Sequence, residues 1–350
     1  MKKRLGRAAE RMLSGLLICC MLLALLPVGA QAASFAGGSG TAADPYQIAT
    51  AAQLCAVNED PAAHYVLTKD IDMQYCYEFQ PIGNPAVGAF SGTFDGANHA
   101  VRNLTLDLPG EKYVALFGYL EGTVENVKLE NVSIKGGRYA AGIAAYADDD
   151  SIIRSCSTSG SVQAAGSVIS TFGAGIAAYS SGLVQNCRNA AYIEVIKTPD
   201  VSRYRGGVIG YYAGTAEITD CENRGELGRR DYNKTNLCDA GGIVGYVDGT
   251  LRIRNCANWG EAAAGIVLSC DGIYAENCTN YGPAGFAGIV YYVDGKAEIV
   301  GCTNNGEVRT EIDGVCPAGI ASVVRSGTIR DCVNSGAVYA YNYAAGSCAD

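Results

Sequence analysis

One pattern recurs seven times along this chain: a glycine and a β-branched residue, an apolar run, a turn, then Cys, a polar residue and Gly at fixed offsets. The copies open at Gly142, Gly175, Gly207, Gly242, Gly265, Gly288 and Gly319. Their cysteines are Cys156, Cys187, Cys221, Cys256, Cys278, Cys302 and Cys332. A period in the twenties to thirties marks a solenoid, in which each unit is too small to bury its apolar face alone and does so against its neighbours. The units from Gly242 and from Gly265 are 23 residues each, room for three short strands and three bends. For the first of these the sequence predicts strands over 242–247, 251–256 and 261–264, a turn at Asp248-Gly249 and a bend at Asn258. Longer units grow after the third strand, at 163–174, 192–206, 227–240 and 308–317, so the insertions project from one side. Stacked at ~4.8 Å, about nine or ten coils make a rod on the order of 45 Å long.

In a parallel solenoid, equivalent residues form vertical columns. The residue after each leading glycine is Ile143, Ile176, Val208, Ile243, Ile266, Ile289 or Ile320, a column that reads as inward. Two degenerate early copies carry Leu104 and Val127 where the later ones carry Cys, so the Cys column also reads as inward, with thiols packing as small hydrophobes. Zinc needs close pairs such as Cys-x-x-Cys, which the mature chain lacks, and a disulfide ladder suits small domains without a core. Among the other cysteines, Cys238 and Cys316 fall three coils apart, ~14 Å, beyond the reach of a bridge. Only Cys55 and Cys76, near the N-terminus, are expected to be free to pair. Two residues after the cysteines stand Thr158, Asn189, Asn223, Asn258, Asn280, Asn304 and Asn334. Asn tolerates left-handed backbone, and its amide can bond the amide one coil away, so a structural ladder at a bend is expected.

A fourth column, four residues after the leading glycines, holds Tyr146, Tyr179, Tyr211, Tyr246, Ser269, Tyr292 and Val323. Strict alternation from the inward Ile points it outward, where the tyrosines could lie against sugar rings. The competing reading is mutual stacking at a turn. Asp148, Asp149 and Asp150, and the stacked Asp248, Asp271 and Asp294, read as turn residues, not as the six to eight converging oxygens of a calcium site. No metal or other cofactor is implied.

The N-terminus has the layout of a secretory signal peptide over residues 1–32. It has a basic segment, a near-continuous apolar run from Met12 to Leu26, and the small-x-small site Ala30-Gln31-Ala32. That run falls short of a spanning helix, so no membrane insertion is expected after cleavage. Removing residues 1–32 subtracts five basic and one acidic side chain, which takes the net charge from −9 to −13. An acidic chain without a basic cluster is a poor nucleic-acid binder. Residues 33–80 form a lead-in and cap, with a capping box at Thr50-Ala-Ala-Gln53 opening a short helix through Asn58. Residues 81–350 form the solenoid.

Gly206-Gly-Val-Ile-Gly210 and Gly241-Gly-Ile-Val-Gly245, each followed by Cys-x-Asn-x-Gly, resemble the GLUG motif of secreted bacterial repeat proteins. The lead-in is similar too, in Asp44-Pro-Tyr-Gln-Ile48, Ala51-Ala-Gln-Leu54, Tyr65 to Asp72, Pro81-Ile-Gly83, Phe90 to Gly96 and Leu116-Phe117-Gly118. The resemblance implies an all-β, right-handed parallel β-helix, secreted or at the cell surface. Such repeats also occur beside the protease domain of bacterial IgA-cleaving metallopeptidases. That chemistry does not carry over: the only histidines are His64 and His99, with no His-Glu-x-x-His.

Two functions from different classes follow. One is a non-catalytic secreted or surface module, adhesin-like, holding a surface glycan or a host protein. The other is a polysaccharide-degrading β-helix lyase or glycosidase, whose nearest candidates are Glu194, Lys197 and Asp200 with Arg229, Arg230 and Asp231. A last copy opens at Ala345-Gly346, so further coils or another chain are expected to cover that end.

Overall fold

The computed structural model describes residues 34–166, 170–196, 202–228, 240–310, 312 and 316–340. The signal segment, Lys197, Asp200, Arg229, Arg230, Asp231, Cys238 and the copy from Ala345 lie outside the described residues.

Among the described residues every strand pairing is parallel, and the strands form three sheets of 15, 11 and 9 strands. Each coil visits the three in turn. In the coil from Gly242 the chain runs through Val244–Arg254 on the first sheet, Ala257–Asn258 on the second and Ala262–Ala264 on the third. It then re-enters the first sheet one level on, with Val244 in register with Val267. This is a parallel β-helix. At its N-terminal end Thr50 caps the helix Ala51–Cys55, accepting from the Gln53 N–H, while Gln53 Oε1 accepts from the Ala49 N–H at 2.7 Å. A 3-10 turn continues to Glu59, and Leu54 and Val57 from this segment are fully buried.

Two local expectations are corrected. Asp248-Gly249 is not a chain-reversing turn. It lies inside Val244–Arg254 as a bulge, with a register shift between Val247 and Thr250 and Gly249 at φ +100°. A coil that stays on one sheet at this point needs a kink, not a reversal. In earlier coils the same place separates two strands, Ala144–Ala147 and Ile152–Arg154. The left-handed bend does not fall on the Asn column either. It falls on the residue before each cysteine: Ser155, Asn186, Asp220, Asn255, Asn277, Gly301 and Asp331 all have φ between 51° and 61°. One left-handed residue swings the chain from the first sheet to the second, and Asn, Asp and Gly tolerate it best.

The interior follows from the columns. Ile143, Ile176, Val208, Ile243, Ile266 and Ile289 are fully buried, and the six column cysteines Cys156, Cys187, Cys221, Cys256, Cys278 and Cys302 are 0–1 % exposed. The thiols from Cys156 to Cys278 in the column turn to a carbonyl one coil back, Cys187 to Ile153 O at 3.7 Å and Cys278 to Ile253 O at 3.8 Å, and Cys302 turns to Val300 O of its own coil. Burial pushes the Cys187 and Cys256 thiols well up from the usual value. The ladder cysteines are free thiols, and Cys55 Sγ lies 2.9 Å from Cys76 Sγ, also as thiols. Cys316 corrects the expectation about pairing, for it is disulfide-bonded. It lies in the stretch after the third strand, outside the stacked column, where coil spacing does not fix separation.

The Asn ladder is continuous from Asn189 through Asn223, Asn258, Asn280 and Asn304 to Asn334, each Nδ2 donating to the next Oδ1 at 2.8–2.9 Å. Its first five members are fully buried. Asn258 also donates to Gly260 O and accepts from Gly260 N–H, so all four of its hydrogen-bonding positions are used. This ladder explains the leading glycines. A Cβ at Gly207, Gly242, Gly265 or Gly288 would overlap the amide of Asn223, Asn258, Asn280 or Asn304.

Candidate functional site

The tyrosine column lies on the first sheet, where alternation breaks. After Gly142, both Ile143 and Ala144 pack in the core, while Ala145 and Tyr146 belong to a separate cluster outside it and Ala147 returns inside. Tyr146, Tyr179, Tyr211 and Tyr246 therefore face out, in register, and half-buried. They also stack, with ring centroids 4.3, 5.5 and 5.3 Å apart in succession and interplanar angles of 4°, 13° and 27°. Tyr119 precedes them, edge-on to Tyr146 at 5.1 Å. Tyr292 stands apart, because Ser269 occupies the rung between it and Tyr246.

The tyrosines are covered from the side by a second aromatic column on the third sheet. Tyr113, Tyr139, Phe172 and Tyr204 stack at 5.2, 5.0 and 5.8 Å. Edge-to-face contacts tie the columns together, Tyr139 to Tyr146 at 6.0 Å and Phe172 to Tyr211 at 5.1 Å. Beneath lie Ala115, Ala141, Ala145 and Ala178, all fully buried, and Tyr139 and Phe172 are themselves 6 % and 3 % exposed. Small residues hollow out the corner where the sheets meet, and two ranks of rings fill it from outside. The second column was legible: Tyr139, Phe172 and Tyr204 each stand three residues before a leading glycine. The insertions that begin just upstream mask that spacing.

Opposite charges line the two sides. Lys112 sits over the Tyr113 ring at 4.5 Å and Arg138 over the Tyr139 ring at 4.8 Å. On the tyrosine side the hydroxyls meet carboxylates: Tyr119 donates to Asp148, Tyr211 to Asp248 and Tyr292 to Asp294, each at 3.1 Å. Burial first, then the Asp148 bond, pushes Tyr119 up to about 12, and burial with Asp248 pushes Tyr211 up further. The Tyr119 and Tyr211 hydroxyls are donors at any physiological pH. The arrangement is a corner trough lined by stacked aromatic side chains with polar groups at its edges, a geometry suited to a polyhydroxylated ring ligand.

Of the residues considered for polysaccharide cleavage, Glu194 is described, and it accepts from Gln163 Nε2 at 2.8 Å. A different cleft, of about 250 Å³, lies on the outer face of the first sheet and includes Arg252, Tyr274, Glu276 and Glu298. Arg252 lies over the Tyr274 ring at 4.6 Å, and Arg254 is paired with Glu217 at 2.6 Å.

The fold and this trough define a repeat protein of the parallel β-helix class. A solved structure described as a "putative immunoglobulin A1 protease" from Bacteroides ovatus shares the fold, with a TM-score of 0.55 and 22% identity over 84% of this chain and 87% of that one. Halomucin of Haloquadratum walsbyi is 30% identical over 219 residues, 52% of this chain. A "Putative Gly-rich membrane protein" of Evansella cellulosilytica is 32% identical over 114 residues, 31% of this chain. The matches span 2% and 13% of those two relatives. No protein-family model matches the chain, so the GLUG resemblance rests on its motif residues. Among the described residues no helix is long and apolar enough to cross a membrane.

Proposed function

We propose that this chain is a non-catalytic, adhesin-like module, secreted or held at the cell surface, which binds a glycan along the aromatic trough. The observation that carries the reading is the half-buried, outward-facing tyrosine column, backed by a second ring column, along one corner of the β-helix. Sugars bind to aromatic faces through their C–H patches and to edge carboxylates and cations through their hydroxyls. The signal-peptide layout, the acidic charge and the matches to halomucin and to a Gly-rich membrane protein support an extracellular setting. A glycan array probed with the mature chain tests the reading. Binding that falls with Tyr246→Ala supports it, and an array without hits refutes it.

A polysaccharide-cleaving enzyme is the second reading. It is favoured by Glu276 and Glu298, carboxylates on adjacent strands of the 250 Å³ cleft beside Tyr274 and Arg252. Release of reducing ends from a polysaccharide panel, lost in Glu276→Gln and Glu298→Gln, would establish it over the first.

A further inference from the structure

The tyrosine ladder has one missing rung. Ser269 is in register with Tyr246 on one side and Tyr292 on the other. We propose that this gap is the subsite for a single pyranose ring, neutral or positively charged. The proposal rests on the reading of the trough as a glycan-binding face and makes it specific.

Geometry comes first. Two strand spacings separate the Tyr246 and Tyr292 rungs, about 9.6 Å. A ring inserted midway lies ~4.8 Å from each neighbour, within the range for stacked rings. The ladder itself uses that spacing, from 4.3 Å at Tyr146–Tyr179 to 5.5 Å at Tyr179–Tyr211. Neither flanking tyrosine leans into the gap. Tyr246 makes its ring contacts with Tyr204 at 4.8 Å and Tyr211 at 5.3 Å, on the N-terminal side. Tyr292 is held from the other side, its hydroxyl donating to Asp294 and accepting from Arg325 Nη2 at 3.2 Å.

The floor changes at the same level. The residue before Tyr146, Tyr179, Tyr211 and Tyr246 is Ala145, Ala178, Gly210 or Gly245, but before Ser269 it is Leu268 and before Tyr292 it is Tyr291. Leu268 packs low, with Ala263, Ala264 and Phe286, and is 6 % exposed, so it makes an apolar floor and leaves Ser269 half-buried above it. In the second column this level holds Ala262 and Ala263 in place of a ring, while Phe286 of the next coil packs against Leu268.

Charge then selects among rings. Asp248, Asp271 and Asp294 stack along the edge of the gap. Asp248 accepts from Tyr211, and Asp294 is paired with Arg325 at 2.6 Å. Asp271, on the Ser269 coil, accepts the Gly249 N–H at 2.9 Å and has no cation partner among the described residues. A carboxylate placed so welcomes hydroxyl donors or an ammonium and repels a uronate.

The test is calorimetric titration of the mature chain with hexamers of glucosamine, N-acetylglucosamine and galacturonate. The wild type is expected to bind the first two, glucosamine the more tightly, and not the third. Ser269→Tyr restores the missing rung, so it is expected to keep or raise the melting temperature and weaken binding by about tenfold or more. If Ser269→Tyr does not fold, Ser269→Leu is the smaller plug with the same expected loss. Asp271→Asn is expected to abolish the preference for glucosamine over its N-acetylated form. Binding undiminished in the folded plugged variant overturns the subsite and leaves the trough reading standing, as does a preference for galacturonate. Failure of the wild type to bind any glycan on an array removes both.

Discussion

At the scale of single residues, the interior is set by a side chain and the hole made for it. Asn258 satisfies its whole amide inside the core, and Gly242 and Gly265 keep their α-carbons bare because the Asn258 and Asn280 amides lie against them. Asn258→Ala leaves Asn223 Nδ2 and Asn280 Oδ1 each short of a buried partner, so it is expected to cost on the order of 3 kcal/mol in a urea titration. Ser180→Ala is expected to do the opposite, because Ser180 Oγ is buried without a hydrogen-bond partner; a gain of about 1 kcal/mol is expected by the same measurement. The thiols set an alkaline limit. For Cys187 and Cys256, burial raises the folded-state pKa above the usual 9.0. Below 9.0 both states hold their protons and the stabilisation is complete. As pH rises past that value the unfolded chain loses protons that the folded chain keeps, so stability should fall steadily. Melting temperature measured from pH 7 to 10.5 checks this, and a flat profile would exclude it. The Asn column was readable in the sequence as a ladder, but its place in the coil was not. The left-handed residue is the one before cysteine, and only backbone geometry shows which of two neighbouring polar columns carries the bend.

At the scale of elements, the aromatic trough is a second small core on the outside of the first. The two readings of the tyrosine stripe, outward-facing or mutually stacked, are both true of Tyr146, Tyr179, Tyr211 and Tyr246, because the column that covers them comes from a different sheet. Stability and binding can therefore be separated by position. Tyr179 is sandwiched between Tyr146 and Tyr211 with Tyr139 edge-on, so Tyr179→Ala is expected to lose about 1–3 kcal/mol. Tyr292 has one ring neighbour, Tyr291 at 6.5 Å, so Tyr292→Ala is expected to melt within a degree or two of wild type. Equal losses in the two variants, read by thermal melts, would contradict the assignment. The cap offers a second check at this scale. Cys55 and Cys76 touch, so they should oxidise to a disulfide while the ladder thiols stay slow to label under alkylation and mass spectrometry.

At the scale of the whole molecule, stability should be graded along the rod, since each coil contacts only its neighbours. Ile299 is fully buried, but its counterpart one coil on, Ile329, is 45 % exposed, as are Val333 at 52 % and Val338 at 40 %. Hydrogen exchange is expected to be fastest in Ala321–Arg330 and slowest in Val244–Arg254 and Val267–Glu276, which have coils on both sides. Uniform protection along the chain would mean that something covers the apolar surface of that last described coil.

By itself the sequence determined the repeat, the inward Ile and Cys columns, and hence a parallel solenoid. Those features are periodic, and a periodic chain that stacks on itself has few other ways to bury its apolar residues. Where the chain bends within each period, and what lies beside the tyrosines, was decided only by the tertiary structure. Bends depend on single backbone angles that several residue types accept. The second aromatic column stands at its own fixed offset before the leading glycines, but that it meets the first follows only from two sheets closing at a corner.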